Sequence, residues 1–352
     1  MAATPAPALG TSLKHLAVHL LTPLLMCLGM ALAYQGAFHQ PEPHRLAVAV
    51  VGTTPEATGL AEALRDKVGP ALDVRALASR DDAERQLRDR ELTGAFVPDP
   101  RSPELIVAKA GSDTSAMAAE AVFRTVATRQ GVPLTVTDIA PTAEGDPTGQ
   151  GLFFLLVALS IGSYGSVAVI GAAGAGLGMR VRALVGLATS LVVSVIGIVT
   201  AGPVFHVVDH DLAAVWAMGW LYSAGIVAIG TGLHTFLKRW TTLALMVLFV
   251  MLNFTTSGGI YRPELQNGFF GALHSFWNGA GFLEGARDVL YFGGGAGLGG
   301  RLAALALWLL AGLALLAAAG WYERRGRAAD ATAPVPSVKA AAEEEMDEAV
   351  GV

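Results

Sequence analysis

The residues best suited to chemistry lie close together at 206–211, where His206, Asp209, His210 and Asp211 fall in one short stretch. Imidazole and carboxylate are zinc ligands, so metal binding is the chemistry this spacing offers. The stretch is brief, however, and Asp211 stands where the next apolar run needs an N-terminal cap. Ordinary interfacial loop residues account for the same pattern, and no metal is expected. GAAGAGLGMR at 171–180 is dense in glycine but lacks the Lys-Ser/Thr of a P-loop and follows no soluble strand. Its Gly171, Gly174, Gly176 and Gly178 are expected to let helices approach closely, with a hinge as the alternative. No GxxxxGK[ST] occurs in the chain, so it carries no P-loop ATPase of its own. His234 precedes Lys238 and Arg239 and is read as an interfacial histidine. No nucleophile–base or metal pair is placed for catalysis, so neither catalytic residues nor a cofactor are expected.

These residues sit in an apolar chain. Of its 352 residues, 53% are hydrophobic and 15% charged, against about 25% charged in a typical soluble protein. The mean hydropathy is +0.51. Charge is absent from 150–179, 183–208, 212–237, 240–261 and 302–322. Each run supplies the roughly 20 residues that cross a bilayer core. With 16–38, the expected spans are 16–38, 151–176, 183–204, 212–236, 240–256 and 302–321. No span has a central acidic or basic residue, which argues against ion-coupled transport. The net charge of −5 comes with no basic, aromatic-interleaved patch, so nucleic acid is not a partner. The lone Cys27 excludes an intrachain disulfide and lacks a lipoprotein box. Ala31-Leu32-Ala33 resembles a signal-peptidase site, but the apolar run continues past it, so a retained anchor is expected.

Orientation follows from the short loops. Lys14, Arg180 with Arg182, Lys238 with Arg239, and Arg324, Arg325 and Arg327 alternate with the expected spans. Placing all four groups in the cytoplasm gives six spans with both termini inside the cell membrane. Residues 1–38 are then a cytoplasmic N-terminus and first span. Residues 39–149 form an extracytoplasmic domain, 150–322 the transmembrane domain, and 323–352 an acidic, disordered cytoplasmic tail.

The outward domain reads β-α-β-α-β-β-α-β. LAVAVVG (46–52), LDVRALA (72–78), LTGAFVP (92–98), ELIVAKA (104–110) and VPLTVTDIA (132–140) alternate as strands. Thr54 with Pro55, and Ser79, mark helix starts. Asp81–Arg85 and Glu84–Arg88 are spaced as pairs on a solvated helix face. The fold class is thus a polytopic α-helical membrane protein with an α/β (α+β) domain inserted between spans one and two.

SGGIYRPELQNGFFGALHSFWNGAGF at 257–282 fits neither a span nor a loop. Phe269, Phe270, Leu273, Phe276 and Trp277 recur at helical spacing, and a second pattern runs through Phe282, Leu283, Ala286 and Leu290. Glu284, Arg287 and Asp288 lie opposite it, and the break is expected at Asn278-Gly279-Ala280-Gly281. Charge parity returns both ends of about 257–295 to the outer face, as a re-entrant or amphipathic hairpin before the last span. A surface anchor is the alternative.

One span, a large outer domain and a cluster of spans together resemble the ABC-2 type permeases of the YhgE/Pip-like group, also called phage-infection-protein-like. SRDDAERQLRDRELTGAFVP (79–98), LFFLLVALSIGSYGS (152–166) and NFTTSGGIYRPELQNGFFGALHSFWNGAGFLEGARDVLYFGG (253–294) carry the resemblance, which spans roughly 14–322. The resemblance implies a homodimeric permease that exports lipid-like, drug-like or polymeric substrates. A separate ABC ATPase subunit would bind and use the ATP. Lys14, Arg180 and Arg182 are then candidates for coupling to that subunit. Phe269, Phe270, Phe276, Trp277, Gly279, Gly281, Glu284 and Arg287 are candidates for an outer gate. A membrane-anchored receptor or envelope-assembly scaffold, acting through 39–149, is the alternative.

Overall fold

The structure is a computed structural model that describes residues 9–295 and 297–332. The expected N-terminal residues 1–8 and the tail beyond 332 lie outside the described residues.

Helix α1 (Leu9–Phe38) leads into a five-stranded mixed sheet. The strands are β1 (Leu46–Val51), β2 (Leu72–Leu77), β3 (Gly94–Val97), β4 (Glu104–Val107) and β5 (Thr135–Asp138), in the order β2-β1-β3-β4-β5. Only β3 and β4 pair antiparallel, across the turn at 98–103. Parallel pairs need crossovers, and α2 (Pro55–Val68), α3 (Arg80–Arg88) and α4 (Asp113–Gln130) supply them. Thr54, Ser79 and Ser112 cap these helices, each accepting a first-turn amide. Both sheet faces are covered, which explains the unbroken apolar run of β1. Val48, Val50 and Phe96 meet α2 and α4 through Ala57, Ala61 and Phe123. Ala49, Ala95 and Ile106 meet α3 through Ala83 and Leu87. On the α3 surface Glu84 and Arg88 stand 3.9 Å apart. Arg85 pairs with Asp82 rather than with Asp81.

The remaining chain is helical. Among the described residues, five segments are long and apolar enough to cross a membrane: Leu16–Phe38, Gly151–Ala173, Met179–Val204, Leu212–Thr256 and Leu298–Ala328. They contain α1, α5 (Gly151–Ala173), α6 (Met179–Val199) and α7 (Leu212–Leu237), then α8 (Thr241–Met246) and α9 (Asn253–Thr256). After α10 (Gly268–His274) and α11 (Asn278–Tyr291), α12 (Leu298–Thr332) closes the described chain. The fourth segment has 45 residues and is not straight. Lys238 takes φ 47°, a left-handed value that stops α7. Beyond it Asn253 donates to Tyr222, and Leu245 lies against Gly230. Partners whose numbers run in opposite directions mean that α7 and the α8–α9 arm are antiparallel.

Two sequence boundaries need correction. Arg180 and Arg182 lie in the first turn of α6 rather than in a loop, because the glycines at 174–178 already make the turn. The helix of the last span continues to Thr332, so 323–332 is not a disordered tail. Arginine and alanine, which dominate there, are strong helix formers.

Glycines let α7 and α12 meet backbone to backbone. A Cβ on Gly312 would lie 2.9 Å from the Ile229 nitrogen, and one on Gly232 2.9 Å from the Leu315 carbonyl carbon. Such close approach is the packing device of helices in lipid. At one end of this bundle Arg182 pairs with Glu323, to which Thr235 also donates at 3.1 Å. Gly171 packs on the His234 ring at the same level. The end of α5, the start of α6 and the end of α7 therefore meet α12 at the level of Glu323, and Arg180, Lys238, Arg239, Arg324, Arg325 and Arg327 gather at that end. The sheet lies against the other end.

Candidate functional site: a buried charge joint

Residues 257–295 connect the sheet to the helices. A turn at Gly258 (φ 80°) follows α9, then a short 3-10 turn at Pro263–Leu265, α10 and α11. Asn267 caps α10 and donates at 3.0 Å to the Gly36 carbonyl of α1. The break between the two helices falls at Ser275–Trp277, not at 278–281. Asn278, Gly279, Ala280 and Gly281 form the buried first turn of α11. A Cβ on Gly279 would come within 2.2 Å of Asn253 Oδ1, and one on Gly281 within 3.2 Å of the Arg301 carbonyl. These glycines thus provide close approach rather than a flexible joint.

The charged face of α11 is not solvated. Glu284 is fully buried, and Arg287 and Asp288 nearly so. What covers them is Arg90, from the turn after α3, held at φ 61°. Its guanidinium donates to Asp288 Oδ1 at 2.5 Å and to Glu284 Oε2, and lies over the Phe292 ring. Arg287 donates to Glu284 Oε1 at 3.0 Å and to the Gly258 carbonyl at 2.9 Å. Arg262 stands 4.0 Å from Glu284 and 3.8 Å from Glu264. Three arginines thus meet three carboxylates. Gly258 has to be glycine here, since a Cβ would lie 2.8 Å from Glu284 Oε1.

Electrostatics fix the protonation of this cluster. Burial pushes the Glu284 carboxyl up, but the Arg90, Arg262 and Arg287 charges outweigh it and hold the group well below the usual carboxylate range. His274, which donates from Nδ1 to the Thr256 carbonyl at 2.7 Å, is lowered by burial to about 4 and is neutral at physiological pH. Groups locked this way hold position; they do not shuttle protons near neutrality. Further bonds widen the joint. Thr114 donates to the Ile260 carbonyl at 2.8 Å, Ser115 to Glu264 at 3.0 Å, and the Ala143 amide to Tyr291 at 3.3 Å. Asp146 ties off the start of α5 by accepting the Gln150 and Gly151 amides at 3.0 and 2.9 Å. Behind the joint, Tyr222 links Ser160 at 2.5 Å and Asn253 at 2.6 Å in a polar seam inside the helices.

The structure brings together some sequence candidates and separates others. Glu284 and Arg287 belong to the joint. Phe270 and Trp277 are buried, and Trp277 donates to the Leu248 carbonyl at 3.1 Å. Phe269 and Phe276 face outward, 62% and 50% exposed. Lys14 is exposed on α1, while Arg182 is buried in its pair with Glu323. A Cβ on Gly176 or Gly178 would meet nothing within 4 Å, so only Gly171 and Gly174 of the four are packed. Asp211 begins α7 at φ 49° without a side-chain cap, contrary to expectation. His210 is engaged by Asp209 at 2.5 Å and by the Leu290 carbonyl at 2.7 Å. Among the described residues no group of three or more His, Cys, Asp or Glu is placed to hold a metal. Sequence reasoning missed Arg90 and Arg262. The only available signal was the acidic pair at Glu284 and Asp288 on a helix otherwise apolar enough to be covered.

No protein-family model, curated protein or solved structure matches the chain.

Proposed function

We propose that the chain is the permease subunit of an ABC-2 type exporter. It works as a homodimer with a separate ATPase and moves a lipid-like, drug-like or polymeric substrate outward. The observation that carries this reading is the division of the molecule into two ends. One end gathers the basic groups of α6, α7 and α12; the other is clamped to an α/β unit through Arg90 and Glu284. A basic end suits contact with an ATPase, and an α/β unit clamped to the helices suits an outer element coupled to them, which supports the reading. The antiparallel arms about Lys238 support six crossings with both termini cytoplasmic, since a basic end of this kind faces inward. Residues 39–149 are then extracytoplasmic, and 257–295 caps the helices from outside.

The test is purification of the full chain from its own membranes in mild detergent. A P-loop ATPase should accompany it in near-stoichiometric amount. A chain that repeatedly purifies with other surface proteins and never with an ATPase contradicts the permease and supports a receptor or scaffold.

A further inference from the structure

A groove of about 430 Å³ runs between α6 and α12, with α7 as its floor. Leu184, Leu187, Val227, Leu313 and Leu316 line it. It continues into a wider mouth of about 650 Å³ at the basic end, and Arg180, Ala183, Leu313 and Leu316 belong to both. Arg180, Arg324 and Arg327 stand at that mouth with Gly178, the residue before α6.

Three observations point to an occupant with an anionic head and an apolar tail. The first is positive charge that the described residues leave unpaired or only loosely paired. Arg180 has no ion pair or side-chain hydrogen bond among the described residues. Among the described residues Arg324 donates from Nε alone, at 3.0 Å to the Gly320 carbonyl. Arg327 donates from Nε at 3.3 Å to the Glu323 carbonyl and lies 4.0 Å from Glu323 Oε2, a loose, exposed pair, while Arg182 holds Oε1 of the same carboxylate. The second is the start of α6. Gly178 brings no capping side chain, and it lines the mouth with Met179 and Arg180 of the first turn, where the helix dipole favours an anion. The third lies deeper. Thr231 lines the groove, is 2% exposed, and its hydroxyl has no hydrogen-bond partner. It lies six residues before the end of α7, about 9 Å along the helix axis. A polar donor at that depth suits an ester carbonyl below a phosphate.

We infer that this groove binds an anionic glycerophospholipid from the leaflet at the basic end. The phosphate sits on Arg180, Arg324, Arg327 and the start of α6, an acyl chain lies along Leu187 and Leu313, and Thr231 donates to an ester carbonyl. The site stands apart from the transport reading, because binding is measured without an ATPase or a substrate.

Native mass spectrometry of the purified full chain tests it, with phosphatidylglycerol and phosphatidylcholine of matched chains as probes. Phosphatidylglycerol should be retained selectively. Each of Arg180→Gln, Arg324→Gln and Arg327→Gln should weaken it about fivefold, the worth of one basic group near an anionic surface. All three residues are exposed, so the variants should elute and melt as the parent does. Leu313→Trp, which fills the groove and spares the arginines, should also reduce retention. Equal retention of the two lipids, or selectivity that survives the triple substitution, overturns the site. Unchanged binding to Leu313→Trp overturns the groove in favour of surface charge alone. Displacement of the lipid by millimolar inorganic phosphate overturns it in favour of a free-anion site.

Discussion

Replacing Arg90 by alanine should cost about 3–5 kcal/mol of stability, a large share of the roughly 5–15 kcal/mol that holds a typical protein folded. The loss comes from what is left behind. Glu284 and Asp288 would remain buried without the guanidinium that both accept from. The sheet has its own core on both faces, so it should stay folded while its attachment loosens. Limited proteolysis should then cut within 257–267 in the variant and spare that stretch in the parent. Arg90→Lys should recover only part of the loss, since an ammonium cannot serve two carboxylates with a planar fork. Adding Asp288→Asn to Arg90→Ala should restore some stability, because Asp288 has no other ion pair among the described residues, whereas Glu284 keeps Arg287 and Arg262. A melting temperature for Arg90→Ala equal to that of the parent contradicts the joint.

Gly312→Leu should cost about 3 kcal/mol, the upper end for overpacking, because the added side chain here meets backbone rather than a movable side chain. The new Cβ alone would lie 2.7 Å from the Ala228 Cβ and 2.9 Å from the Ile229 nitrogen. Helices α7 and α12 would have to separate, exposing the polar groups between them to lipid. The expected result is a lower melting temperature and loss of the single elution peak in detergent. Gly176→Ala is the control. Nothing lies within 4 Å of a Cβ there, so it should stay within about 0.5 kcal/mol of the parent. If both variants behave alike, the close crossing is wrong.

The α/β part of this fold was plainly written in the sequence. Alternating valines, Thr54-Pro55 and Ser79 mark strands and helix starts, because period and cap chemistry are local. The apolar runs were equally legible, and so was the interruption at Lys238. The joint was not. Glu284, Arg287 and Asp288 at helical spacing look the same on a solvated face as on a buried one. Only the distant Arg90 decides between the two, and a contact 194 residues apart leaves no local signal. The glycines at 279 and 281 misled for a related reason. Glycine marks both flexible joints and close packing, and the neighbour that distinguishes them at 279, Asn253, comes from another helix. Arg182 likewise reads as a loop charge unless Glu323 is placed beside it.

Cysteine accessibility in intact cells tests the two-ended architecture most directly. Single cysteines at Lys238, Arg324 and Glu56, in a background with Cys27 replaced by serine, would be labelled with a membrane-impermeant thiol reagent. Labelling is expected at Glu56 only, with Lys238 and Arg324 reacting together once the membrane is opened. Lys238 and Arg324 on opposite sides, or Glu56 on their side, would contradict that architecture.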